Sequence, residues 1–207
     1  MSNKTSILCF GNSLTAGFHM YGLEYHPYAW KLEEKLKAAF PSHSFRVDVD
    51  GLPGDLAITP PGRFSSRLQA KCAETSYDWV IMLGATNDLG HGYPCDKIVA
   101  ALEDAWKIAL SSGANVLALT VPECAAVNKR LDEKRNEVNS HIRGYQSPKF
   151  YAFDLHSQLP YHAATEEFKE TIWDDGLHLT AKGYDLVGNL VADHLIPLLG
   201  SGEKVDG

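Results

Sequence analysis

Ser6-Ile7-Leu8-Cys9-Phe10-Gly11-Asn12-Ser13-Leu14-Thr15 is the stretch whose reading decides the fold. A short β-rich apolar run reaches Gly11 and gives way at once to small and polar residues. An apolar run of this length bounded by a turn signal reads as a buried strand. Similar runs recur at residues 45–49, 79–83, 116–121 and 150–154. Longer stretches with helical spacing separate or follow them, near residues 27–40, 63–75, 96–112, 129–145 and 180–199. Strand followed by helix, repeated along the chain, predicts an α/β fold: a parallel sheet with helices on both faces. In such a sheet, ligands bind beyond the carboxyl ends of the strands. The residues just after each strand are therefore the ones that matter for function.

Local signals support the helices. Pro27 suits a first helical position. Ile98, Val99, Leu102, Ala105, Trp106 and Ala109 fall on one helical face. Gly113 is a stop signal. Thr180 suits the cap of the last helix, whose apolar stripe includes Tyr184, Val187, Leu190 and Val191. Thr59-Pro60-Pro61-Gly62 reads as a turn inside one domain spanning residues 1–200. Residues 201–207 read as a disordered tail.

Composition narrows the function classes. The chain of 207 residues is 44% hydrophobic and 22% charged, with a formal net charge of -7. Such a surface argues against nucleic acid, which needs a basic footprint, and against anionic membranes. The short run Lys129 to Lys134 reads as the solvated face of a helix. Cys9, Cys72, Cys95 and Cys124 form neither C-x-x-C pairs nor zinc spacing with histidine, so free thiols in a reducing compartment are expected. No segment holds the ~18 apolar residues of a membrane span. The N-terminal apolar run is too brief for a signal peptide, and a cytoplasmic location is the expectation.

The strand ends carry a constellation. Phe10-Gly11-Asn12-Ser13 follows the first strand, Gly51-Leu52-Pro53-Gly54-Asp55 the second, and Gly84-Ala85-Thr86-Asn87-Asp88 the third. Asp174-Asp175-Gly176-Leu177-His178 precedes the last helix. A serine hydroxyl needs a base to become nucleophilic, and an imidazole oriented by a carboxylate supplies one. Ser13, His178 and Asp175 fit those roles. Asp174 competes with Asp175, but the three-residue step to the histidine favours Asp175. The N–H groups of Ser13 and Gly54 and the side-chain amide of Asn87 are candidate oxyanion donors, with Gly51 the alternative to Gly54. Phe18, His19, Tyr21, His91, Tyr93 and Trp173 are candidate walls of a substrate cleft.

These segments resemble the four sequence blocks of the SGNH hydrolases, also called GDSL esterases and lipases. Ser13, Gly54, Asn87 and the Asp175-x-x-His178 pair match the family's blocks in order, across almost the whole chain. The resemblance implies a flavodoxin-like three-layer α/β/α sandwich with a five-stranded parallel sheet. It also implies ester hydrolysis of a small-molecule substrate through an acyl-enzyme, without metal or organic cofactor. The chain has no obvious lid insertion, so short acyl groups, acetyl first, are expected. Carbohydrate acetyl esters follow from the resemblance alone. A thioesterase or lysophospholipase on the same triad, and a non-catalytic binding module, are the alternatives.

Two positions depart from the family pattern. Asn12 stands where aspartate is usual. Its amide oxygen is expected to meet nearby backbone N–H groups as a carboxylate does, so Asn12→Asp should keep the fold. Ala85 stands where glycine is usual, with Gly84 beside it expected to serve the same turn.

Overall fold

The structure, a computed structural model, describes residues 4–201; the residues expected to form the tail lie outside it, apart from Ser201. Five parallel strands form the main sheet: β1 (Lys4–Gly11), β4 (Ser44–Gly51), β5 (Trp79–Leu83), β6 (Asn115–Leu119) and β7 (Phe150–Phe153). Their order in space is β4-β1-β5-β6-β7. The chain thus leaves β1 to one side and returns on its other side. That reversal opens a crevice at the carboxyl end of β1. A second, two-stranded hairpin joins β2 (Phe18–His19) to β3 (Glu24–Tyr25).

Alternation along the strands builds two cores. Ile7, Cys9, Ile81, Leu83, Leu117 and Leu119 face one side. They meet Leu32 and Leu36 of α2 (Tyr28–Ala39), and Tyr184, Val187, Val191 and Leu195 of α9 (Ala181–Ser201). Leu8, Phe10, Val80, Met82, Val116 and Ala118 face the other side. There they meet α3 (Phe64–Glu74), α5 (Cys95–Ser111) and α6 (Lys129–Gly144). Helices on both faces of the sheet complete the expected three layers. Burial pushes the Cys9 thiol up to about 12, as befits a core side chain, and all four cysteines are free.

Each of the five longer helices lies within a residue or two of its expected span. Pro27 takes the cap position, one residue before α2, instead of the first helical position. Thr180 Oγ1 accepts from the Gly183 N–H at 3.1 Å, capping α9 as expected. Elements too short for periodicity to register were not legible: α1 (Ser13–Ala16), α4 (Thr86–Gly90), α7 (Leu155–Gln158) and α8 (Glu166–Ile172). The Lys129–Lys134 run is only partly a solvated face, because Lys134 Nζ donates to the carbonyls of Gly92 and Tyr93 at 2.8 and 2.9 Å.

Two departures concern the turns that position the site. Ala85 itself takes the left-handed conformation, φ 74°, while fully buried. Gly84 therefore does not serve that turn; a Cβ there would press on Phe64 and Leu102 at 3.0 and 3.1 Å. Asn12 is 1% exposed, and neither atom of its side-chain amide meets a hydrogen-bond partner among the described residues. The expected backbone N–H donors are absent from it.

These observations yield two predictions. Gly188 lets α9 approach α2, since a Cβ there would lie 2.5 Å from the Tyr28 carbonyl oxygen. Valine gains a little helix propensity over glycine, but overpacking costs about 1–3 kcal/mol and wins. Gly188→Val is expected to lower the urea midpoint without changing the slope. Asn12→Asp would bury a carboxylate with no donors, which costs at least about 1–3 kcal/mol. Such a group has a raised folded-state pKa. The destabilisation is therefore absent below the unfolded value of ~3.9 and grows as pH rises through the folded value. Urea melts at pH 7 and pH 4 check this; equal deficits at both would overturn it.

Candidate active site

The strand ends bring the distant blocks together. Gly11 ends β1, and Ser13 starts α1 directly above the sheet. The Asn12 carbonyl accepts from the N–H groups of Thr15 and Ala16 at 3.1 and 3.0 Å, which closes this turn. Ser13 is 6% exposed.

The Asp175–His178 segment forms a tight turn of its own. Asp175 Oδ1 accepts from the backbone N–H groups of Leu177 and His178 at 2.9 and 2.7 Å. Gly176 sits at φ 78°, and a Cβ there would meet Ala125 Cβ at 2.5 Å, so both conformation and space require glycine. Its carbonyl accepts from the Ala125 N–H at 2.7 Å, tying the turn to the loop after β6.

From this turn the imidazole spans two partners. His178 Nδ1 lies 2.7 Å from Asp175 Oδ2, and Nε2 lies 3.0 Å from Ser13 Oγ. Burial pushes the Asp175 carboxyl up. The bonds from the His178 ring and from the backbone N–H groups of His178 and Leu177 outweigh it, and hold the group below the usual carboxylate range. Asp174, the rival carboxylate, is engaged elsewhere: its Oδ2 accepts from the Met20 N–H at 2.7 Å.

Two of the three candidate oxyanion groups, at Gly54 and Asn87, lie on turns joined by one bond. Asn87 Nδ2 donates to the Asp55 carbonyl at 2.8 Å, which fixes the amide and leaves its second N–H to donate. Gly54, one residue earlier, is exposed at φ 77° with open space where a Cβ would sit. Its glycine is required by conformation, and not by close approach. Gly51 is different: a Cβ there would lie 2.2 Å from the Ala16 nitrogen, so it lets β4 pack on α1.

A supporting layer of charge was missed by the sequence reading. Buried Asp88 accepts from the N–H groups of Ala57 and Ile58, each at 3.0 Å. Asp55 accepts from the N–H groups of Leu56 and Arg63 and from Arg67. Arg67 also pairs with Asp50 and reaches the Gly11 carbonyl at 3.3 Å. The available signal was position alone, since Asp55 and Asp88 directly follow Gly54 and Asn87.

Of the six expected cleft residues, two lie beside the His178 ring or the cavity next to it. Phe18 packs on the His178 ring, with centroids 4.6 Å apart. His91 lines a cavity of about 550 Å³ beside the site, together with Asn87, Leu89, Val121, Leu131, Asp175 and Leu177. His19 is buried, with Nδ1 3.1 Å from the Gly17 carbonyl and Nε2 3.4 Å from Glu24. Trp173 is core, 5% exposed, and donates to the Pro160 carbonyl. Tyr93 packs against the α5 side of the core. Tyr21 projects into solvent, 87% exposed.

Among the described residues, no cluster of His, Cys, Asp or Glu has the makings of a metal site, and no helix is long and apolar enough to cross a membrane. An arylesterase of Vibrio mimicus is 24% identical over 190 residues, covering 92% of this chain and 88% of that protein. The inhibitor-bound aryl esterase of M. smegmatis superposes with a TM-score of 0.71 at 20% identity, covering 92% of this chain and 98% of that one. A lipase/acylhydrolase from Enterococcus faecalis gives 0.69 at 22% identity, covering 93% and 96%. These likenesses show a shared fold. The sequence model of the GDSL-like Lipase/Acylhydrolase family matches residues 9–186. The chain therefore belongs to the GDSL-like lipase/acylhydrolase family and is a carboxylic ester hydrolase.

Proposed function

We propose that this protein is a serine esterase that cleaves short-chain carboxylic esters through Ser13, His178 and Asp175. The observation that carries the reading is the unbroken line of hydrogen bonds from Asp175 through the imidazole to Ser13 Oγ. Asp175 holds Nδ1 protonated, which leaves the Nε2 lone pair facing the hydroxyl. As Ser13 Oγ attacks the ester carbonyl, Nε2 takes its proton. The free N–H of Asn87, with the N–H groups of Ser13 and Gly54, supports the charge that develops on the carbonyl oxygen. His178 then protonates the departing alcohol. Water repeats the sequence on the acyl-enzyme.

The cavity beside Asn87 and Asp175 supports a choice of substrate. Its 550 Å³ lies within the ~300–1,000 Å³ range of small-molecule sites. Leu89, Val121, Pro122, Ala125, Leu131 and Leu177 give it a mainly apolar lining. That lining favours an aryl or alkyl group over a sugar. The arylesterase relative points the same way. The proposed substrate is an acetyl or other short acyl ester of an apolar alcohol; a carbohydrate acetyl ester fits this lining less well. The cavity's size also supports a second reading, in which it takes a longer acyl chain from a thioester or lysophospholipid.

Labelling with a fluorophosphonate, located by mass spectrometry, is expected to fall on Ser13. Ser13→Ala should lower kcat by ~10⁶ and Asp175→Ala by about 10⁴. Residual turnover of a few per cent in pure Ser13→Ala would overturn the assignment. Asn87→Ala should lower kcat by roughly 10²–10³ with little change in KM; an effect on KM alone would make Asn87 a substrate-binding residue. A chain-length series of p-nitrophenyl esters decides between the two substrate readings. Rates that peak at acetyl support the first, and rates that climb to octanoyl support the second.

A further inference from the structure

The β2–β3 hairpin is an unlikely piece of backbone held in place at several points, and its contacts converge on Phe18. Met20 and Tyr21, at its turn, both take left-handed conformations, φ 48° and 57°, which bulky residues rarely adopt. Asp174 clamps this turn through the Met20 N–H at 2.7 Å. Tyr184 of α9 donates its hydroxyl to the Phe18 carbonyl, also at 2.7 Å. Gly22 lies against the Phe18 ring, where a Cβ would come within 2.7 Å of Phe18 Cε2. Tyr25 meets the same ring edge-on at 5.8 Å and 86°. The ring so held lies 4.6 Å from the His178 imidazole at an interplanar angle of 46°.

We propose that Phe18 is a positioning residue for the base, and that the hairpin exists in this form to press its ring on His178. The inference rests on the triad reading above. An aromatic face carries negative charge density and attracts a cation. The imidazole is neutral before reaction and cationic once Nε2 has taken the Ser13 proton. The contact therefore strengthens as the proton moves, which raises kcat and leaves ground-state binding alone. The ring also blocks the imidazole from turning away from Ser13. The other charged or titratable groups around this contact are Asp174 and Asp175 on the histidine's own turn, Tyr184 from α9, and Tyr25 and the His19–Glu24 pair of the hairpin. Of these, only Tyr25 packs on the Phe18 ring itself.

The test is steady-state kinetics on p-nitrophenyl acetate, with fluorophosphonate labelling rates alongside. Phe18→Leu keeps apolar bulk and loses the π face. Its kcat and labelling rate are expected to fall by about 3- to 30-fold with KM within twofold of wild type. Phe18→Tyr keeps the ring, and most of the loss should be recovered. A change confined to KM would make Phe18 a substrate wall and overturn the proposal, as would wild-type kcat in Phe18→Leu or an equal loss in Phe18→Tyr. Should Phe18→Leu fail to fold, Asp174→Ala loosens the hairpin without touching the ring. A fall in kcat at unchanged KM there supports the inference; no change overturns it. Wild-type protein that neither hydrolyses the ester nor labels at Ser13 would instead defeat the triad reading itself.

Discussion

The site depends on how tightly the chain can turn at the end of the central strand. β1 is paired on both edges, with β4 and with β5, so it has no freedom to shift. At Gly11 a side chain would meet Thr15 Oγ1 at 2.2 Å and the Leu83 carbonyl oxygen at 2.4 Å. Only glycine lets the chain leave the sheet here and start α1 within two residues. Ser13 is lifted above the crevice between β4 and β5 because of that turn. Gly51, pressed on Ala16, imposes the same closeness from the neighbouring strand. Ser13 is thus held by backbone packing more than by bonds to its own side chain.

Charges beneath the site serve the backbone first. Asp88 and Asp55 are buried acceptors of main-chain N–H groups, and Arg67 draws Asp50, Asp55 and the Gly11 carbonyl together. This joins the ends of β1 and β4 to the starts of α3 and α4. Burying these groups is tolerable because each is paired or bonded; removing one partner from such a set costs about 3–5 kcal/mol. The turn bearing Gly54 and the amide of Asn87 are therefore parts of one rigid body. That suits groups which must be in place before charge develops on a substrate.

The sheet, its helices and the positions that meet at its edge were legible in the sequence, because each rests on local signals. Strand and helix periods differ, and a glycine or serine after a strand marks its end. The rest was not legible because it depends on neighbours far along the chain. His19 and Trp173 sit beside the blocks that carry Ser13 and His178 just as Phe18 does, yet they point into the core. The hairpin that carries His19 turns at the left-handed Met20–Tyr21 pair, which no propensity of Met or Tyr announces and which Asp174 stabilises from 154 residues away. Ala85 shows the same limit: its left-handed conformation is imposed from outside, against its own preference. The short α8 was a different case. Thr165 caps it and Glu166 and Glu167 fill its first turn, but seven residues with a single apolar pair, Phe168 and Ile172, fall below what periodicity detects.

The two halves of the site differ in what holds them, and this bears on their response to acid. The Ser13 side is anchored by the sheet and by buried pairs. The His178 side is a turn whose main tie is the Asp175 carboxylate, bonded to two backbone N–H groups and to the ring. Those bonds hold its pKa below the usual range. The stability they contribute is therefore present above the unfolded value of ~3.9, and it is lost only as pH falls through the lower folded value. The turn therefore remains formed through mildly acidic conditions.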